Sequence, residues 1–123
     1  MAAREISWRD ILEVGQGGPG CGLLHIDGRQ PKGGFRYLPP AVEHEDRVYA
    51  SSFVSGGFVA CEIDPVTLAR RALMQRVNYC RVVGVEDGQL VYVDTPKGDT
   101  VSRIAIAPKP RLLAKLSARF GKR

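Results

Sequence analysis

The stretch Glu45-Asp46-Arg47-Val48-Tyr49-Ala50-Ser51-Ser52-Phe53-Val54-Ser55-Gly56-Gly57-Phe58-Val59-Ala60-Cys61-Glu62-Ile63-Asp64-Pro65 decides how the chain folds. It holds two strand-length runs, Arg47 to Phe53 and Phe58 to Ile63, rich in β-branched and aromatic residues. Gly56-Gly57 separates them, and Glu45-Asp46 and Asp64-Pro65 bound them; these residues adopt the tight backbone angles of turns at little cost. A hairpin follows.

Outward from this hairpin the pattern repeats. Further runs cover Leu23 to Asp27, Phe35 to Val42, Arg71 to Val77, Tyr79 to Val85, Leu90 to Asp94 and Thr100 to Ile106, which makes eight predicted strands. Asp27-Gly28, Pro31-Lys32-Gly33-Gly34, Asp87-Gly88 and Pro96-Lys97-Gly98-Asp99 supply the other turns. Connections this short favour hairpins over crossovers, so the fold class is all-β, with antiparallel hairpins forming a small sandwich or barrel. The 14 Gly and 8 Pro argue against a helical bundle, and 44% apolar with 25% charged residues is an ordinary globular balance for one domain of 123 residues.

At the N-terminus, Ser7-Trp8-Arg9-Asp10 ahead of Ile11 and Leu12 reads as a capping box, and Gly15 as its stop, which predicts a short helix. The loop Gly15-Gln16-Gly17-Gly18-Pro19-Gly20-Cys21-Gly22 carries glycines, but no Lys-Ser or Lys-Thr follows to hold a phosphate, so it reads as a connection. The expected organisation is residues 1–20 as short helix and Gly-rich loop, 21–107 as β-rich body and 108–123 as a basic amphipathic helix.

Charge is distributed unevenly. Of 18 basic residues, Lys109, Arg111, Lys115, Arg119, Lys122 and Arg123 stand in the last sixteen positions with no acid among them; the remaining 12 face all 13 acids in residues 1–107. The body is therefore about neutral and the tail carries the excess. Leu112, Leu116 and Phe120, with Leu113 beside them, form one stripe of a helix, and Arg111, Lys115 and Arg119 form another row. Pro108 and Pro110 precede this segment and Gly121 can end it. Such a helix of about ten residues is marginal in isolation and needs a cover for its stripe, either its own domain or a partner. Arg111, Leu112, Lys115, Leu116, Arg119, Phe120, Lys122 and Arg123 are the candidate partner-binding residues. A protein partner or self-association is the first expectation and nucleic acid the second; no membrane segment and no small-molecule substrate is indicated.

Catalytic candidates are few. Cys21, His44 and Asp46 or Asp64 occur in the order of a cysteine hydrolase, and Cys21, His25, His44 and Cys61 are acceptable zinc ligands without a tightly spaced pair. Glu43, Glu45, Asp46 and Asp87 read as solvated turn residues. No cofactor or metal is called for. Three widely spaced cysteines, Cys21, Cys61 and Cys80, fit no disulfide framework, and the N-terminus lacks the apolar core of a secretory signal, so a reducing cytoplasmic setting is expected. Phe35, Tyr37, Tyr49, Phe53, Phe58, Tyr79 and Tyr92 interleave with Arg36, Arg47, Arg76 and Arg81, a mixture that a core or a single-strand-binding sheet would both show.

The segments echo one another. Glu45-Asp46 returns 41 residues later as Glu86-Asp87, each pair followed by Val-Tyr (Val48-Tyr49 and Val91-Tyr92), and His25-Ile26-Asp27 returns 37 residues later as Glu62-Ile63-Asp64. Together with Gly56-Gly57 and Thr67, these features over residues 21–107 resemble β-propeller blades of the quinoprotein-like or Kelch-like kind. The resemblance implies about two blades, fewer than a closed propeller, and hence open strand edges that invite another chain. The expected role is a non-catalytic binding or assembly subunit.

Overall fold

The computed structural model describes residues 4–14 and 18–106. They form nine strands: β1 (Ile6–Glu13), β2 (Gly20–Ile26), β3 (Arg36–His44), β4 (Arg47–Val54), β5 (Gly57–Ile63), β6 (Arg70–Ala72), β7 (Arg81–Glu86), β8 (Gln89–Val93) and β9 (Val101–Ala105). The first six make one antiparallel sheet in chain order, and the last three a second. The all-β, antiparallel expectation holds. The larger sheet stays open, because among the described residues nothing pairs its first strand with its last. The C-terminal helix expected over 108–123 lies outside the described residues.

Four turns carry positive φ at both central residues: Asp27-Gly28, Glu45-Asp46, Ser55-Gly56 and Asp87-Gly88. This is the mirror-image geometry whose twist matches that of paired strands, so the last three close tight hairpins, while Asp27-Gly28 brings Arg29 back to bridge Ile26. The central turn falls one residue earlier than expected. Gly57 is inside β5, opposite Val54, and is buried.

The N-terminal helix is a correction. Residues Ile6–Glu13 form β1, which pairs with β2 from Ile6↔Ile26 to Glu13↔Gly20. Ile6 and Trp8 stand at alternate positions and both pack on the core, so period-two burial against β2 outweighs the local capping signal of Ser7 and Asp10. Asp10, at φ 50°, opens a bulge between Arg9 and Leu12. The extra residue Ile11 lies across β2, where a Cβ on Gly22 would come within 2.8 Å of its side chain and one on Gly20 within 3.0 Å. Gly20 and Gly22 thus make room for a bulged side chain. A further correction concerns β6, expected over 71–77 but ending at Ala72. The chain then leaves the ladder, and only Val77 returns to bridge Phe58.

Strands β4 and β5 lie inside the larger sheet and are covered on both faces; every residue of β5 is buried. On one face Val48, Ala50, Cys61 and Ile63 pack with Tyr37, Leu24, Ile26 and Leu68. β2 meets β3 through the single pair Gly22↔Tyr37, and in a flat sheet Leu24 and Ile26 would stand two or three strand spacings, roughly 10–14 Å, from β4 and β5. Their contact shows that the β1–β2 hairpin curls over this face. Arg70 closes the same region, its guanidinium 4.2 Å from the Phe35 ring centre and donating to the Ser52 hydroxyl at 2.7 Å.

On the opposite face Cys21, Leu38, Tyr49, Phe58 and Ala60 pack against Cys80, Val82 and Leu90 of the second sheet and its approach. The larger sheet is therefore a middle layer, and each fully buried Leu, Ile or Phe contributes about 1.5–3 kcal/mol. The same face carries a polar ladder. Tyr49, Glu62 and Arg71 stand abreast across β4, β5 and β6. The Tyr49 hydroxyl donates to one Glu62 carboxylate oxygen at 3.0 Å, and Arg71 donates through Nη2 to the other at 3.0 Å.

Candidate functional site

The cleft with converging chemistry lies where the two sheets part at one end. Gly18 and Pro19 from the β1–β2 connection, Phe58 at the start of β5, Asn78 and Tyr79 ahead of β7, and Asp94, Thr95 and Pro96 after β8 line a space of about 680 Å³. Four segments far apart in sequence meet there because β2, β5, β7 and β8 all have an end at this edge.

The floor is aromatic. Phe58 packs edge to face between Phe53 and Tyr79, with ring centres 5.4 and 5.6 Å away. This geometry sets the positive edge of one ring against the negative face of the next and fixes all three. The rim is polar and holds one fixed anion. Ser102 donates to the Asp94 carboxylate at 2.5 Å and Thr100 donates to its other oxygen, and these two bonds hold the Asp94 carboxyl below its ordinary 3.8. At neutral pH the cleft thus presents a carboxylate above an aromatic floor. That combination suits an apolar stem with a cationic end, such as a lysine or arginine side chain.

The candidate catalytic groups are placed otherwise. Cys21 is fully buried in β2, and His44 closes β3 at the turn, 3.6 Å from Glu45. The level of Cys21 on β3 is marked by Gly22↔Tyr37, and His44 is seven residues further along, roughly 20 Å of strand. The structure does not bring this pair together. Nor does it assemble the zinc set. Cys21 and Cys61 belong to cores on opposite faces, His25 sits with Nδ1 3.3 Å from the Leu23 carbonyl, and among the described residues no three His, Cys, Asp or Glu side chains converge to hold a metal. Arg111, Leu112, Lys115, Leu116, Arg119, Phe120, Lys122 and Arg123 lie outside the described residues.

Burial pushes the Cys21 thiol up to about 11, with Arg36 partly offsetting it; burial likewise raises Cys61 to about 11 and Cys80 to about 12. All three are unpaired and buried. The folded protein binds these protons more tightly than the unfolded chain. Their contribution is therefore fully present below pH 9.0 and is lost as pH rises through about 11. The expected result is negligible iodoacetamide labelling at pH 8 in the native state, three labels per chain in denaturant, and a melting temperature that falls above pH 9. Rapid native labelling of any cysteine at pH 8 would contradict this.

Compared with protein-family models, curated proteins and solved structures, the chain matches none. No helix among the described residues is long and apolar enough to cross a membrane. Sequence reading did not single out Asn78, Asp94 or Thr95 for a site. Phe58 and Tyr79 read as core, and nothing in their spacing announces a cleft that only the packing of two sheets creates.

Proposed function

We propose that the chain is a non-catalytic binding or assembly subunit that docks on a protein partner through its open strand edges and basic C-terminal segment. The observation that supports this reading is where exposed apolar side chains stand. Among the described residues, Ile11 and Leu12 are on β1, Val83 on β7 and Val101 on β9, all strands at the ends of their sheets, with Val66 of a turn in addition. The middle strands expose none of this kind. An edge strand bearing apolar side chains is a template for a further chain, which would bury both the side chains and the unpaired N–H and C=O groups.

The layering supports the propeller-like resemblance as part of the same proposal. β3 to β6 form a four-stranded meander covered on both faces, by the β1–β2 hairpin and by β7 to β9, as a blade is covered by its neighbours. A set of blades short of a ring gains most from association. In this proposal the cationic row Arg111, Lys115 and Arg119, with Lys122 and Arg123, meets an acidic partner surface. The Asp94 cleft receives a basic side chain from that partner.

Deleting residues 109–123 is expected to abolish co-sedimentation with the partner recovered from the native source while leaving the β circular-dichroism signal intact. Unchanged co-sedimentation would overturn the proposal. The tail's charge also suits phosphate, and a nucleic-acid partner would show itself by affinity for single-stranded RNA falling with log[salt] at a slope of about −0.7 per phosphate neutralised. A shallow salt dependence favours the protein partner.

A further inference from the structure

The connection between β8 and β9 builds the acidic wall of the cleft and is braced along its length. The Asp94 N–H donates to the Thr100 carbonyl at 3.4 Å, the Gly98 N–H to the Thr95 carbonyl at 3.0 Å, and the Thr95 hydroxyl to the Asp99 carboxylate at 2.7 Å. The Asp94 side chain is gripped from both sides, because Thr100 donates to Oδ1 and Ser102 donates to Oδ2 at 2.5 Å. An ionised carboxyl has about four lone-pair sites, two on each oxygen. One on each oxygen is taken and one on each is left. Two acceptors side by side in one plane, held against rotation, match the parallel N–H bonds of a guanidinium edge. Asp94 is also the charged side chain of the lining, so a cation in the cleft meets an acid and no base among the lining residues.

We infer that the cleft is an arginine pocket, in which an arginine of a partner polypeptide sets its guanidinium edge on the Asp94 carboxylate and its plane against Tyr79, with Thr100 and Ser102 as positioning residues that favour it over lysine. This rests on the reading of the cleft as a receptor for a partner's basic side chain and adds which one. Tyr79 is half-buried, and its ring stands 5.6 Å from Phe58 at 64°, so a buried neighbour fixes the surface it offers. A guanidinium stacks on such a surface as a plane, whereas an ammonium meets it as a point charge. Asn78 and Pro96 of the lining are exposed, so water reaches the cleft. There an ammonium keeps its strongly held hydration, while the more weakly hydrated guanidinium gives up less to enter. The Asn78 amide oxygen is a further acceptor at the rim. The space of about 680 Å³ is of the size that takes a drug-sized ligand, so the residues flanking the arginine enter with it.

The full chain is titrated with Nα-acetyl-arginine methylamide and with its lysine counterpart, and binding is read from the NMR shifts of the Asn78 and Thr95 backbone amides. The arginine probe is expected to bind about fivefold more tightly than the lysine probe. Asp94→Asn, which keeps the shape and removes the charge, should weaken the arginine probe roughly tenfold, and Tyr79→Leu should weaken it about threefold. Thr100→Val with Ser102→Ala leaves the charge in place and frees the carboxylate to turn. Both probes should then still bind, with the arginine preference reduced to about twofold or less. Unchanged amide shifts in β4 and β5 establish that each variant is folded, and the ratio of the two probes in the wild type needs no variant at all. Equal affinities in the wild type overturn the arginine assignment while leaving the cleft as a receptor for basic side chains. Failure of both probes to move these amides overturns both readings. Binding that Asp94→Asn leaves intact, or an arginine preference that survives Thr100→Val with Ser102→Ala, overturns the assignment as well.

Discussion

Gly57→Ala is expected to lower the melting temperature by roughly 10 °C, corresponding to about 3 kcal/mol. A Cβ there would lie 2.7 Å from the Val77 carbonyl oxygen and 2.7 Å from the Arg76 side chain. Arg76 can move. The Val77 carbonyl cannot do so cheaply, because it accepts from the Phe58 N–H at 2.8 Å while the Val77 N–H donates to the Phe58 carbonyl at 2.9 Å. Displacing it breaks a bridge of two backbone hydrogen bonds, each contributing about 1 kcal/mol, and adds packing strain. Phe58 is also the floor of the cleft, so the same substitution should loosen Tyr79. The neighbouring Gly56→Asn provides the control. Gly56 has φ +82°, where asparagine is tolerated, and a Cβ there meets nothing within 4 Å. Thermal melts of the two variants separate close approach from turn geometry; a Gly57→Ala melt within 2 °C of wild type, roughly 0.5 kcal/mol, would refute the argument.

Glu62→Ala should cost about 3 kcal/mol, because it removes the acceptor for a buried hydroxyl and the anion beside two guanidiniums. Tyr49 is 2% exposed, and its hydroxyl reaches the Glu62 carboxylate at 3.0 Å. Burial first, and the Glu62 charge second, push the Tyr49 hydroxyl above its ordinary value, so it stays a donor across the working pH range. Arg71 and Arg47 approach the same carboxylate at 3.0 and 3.9 Å, and both retain solvent access when it is gone. Most of the loss therefore falls on Tyr49. Glu62→Gln keeps an acceptor of the same shape and should cost about half as much. In a double-mutant cycle with Tyr49→Phe, a coupling of about 1 kcal/mol is expected from urea unfolding. Coupling near zero would show that the hydroxyl and the carboxylate act independently.

The strands were legible because their signals are local. Period-two runs such as Phe58 to Ile63, bounded by Gly56-Gly57 and Asp64-Pro65, need no knowledge of the rest of the chain. β1 was read wrongly for the opposite reason. Ser7 and Asp10 give a helical cue within four residues, while the alternation of Ile6 and Trp8 matters only once Leu24 and Ile26 are there to pack against. Gly57 illustrates the same limit, since a glycine beside a glycine reads as turn until Val77 is known to lie against it. The cleft was hidden most deeply. Its lining comes from residues 18–19, 58, 78–79 and 94–96, and neither the aromatic stack nor the hydroxyl-braced Asp94 has a spacing that a linear reading could recognise.

In both sheets each strand pairs with its immediate predecessor along the chain. Loop-closure entropy is then small at every step, because the partner of an emerging strand is already within a few residues. β3, β4 and β5 can zip up as soon as Ile63 has been synthesised, in microseconds for each hairpin. Between that moment and the addition of the last three strands, Leu38, Tyr49, Phe58 and Ala60 face water. The nascent chain is most prone to aggregate during that interval, and slowing translation after Asp64 should lower the soluble yield.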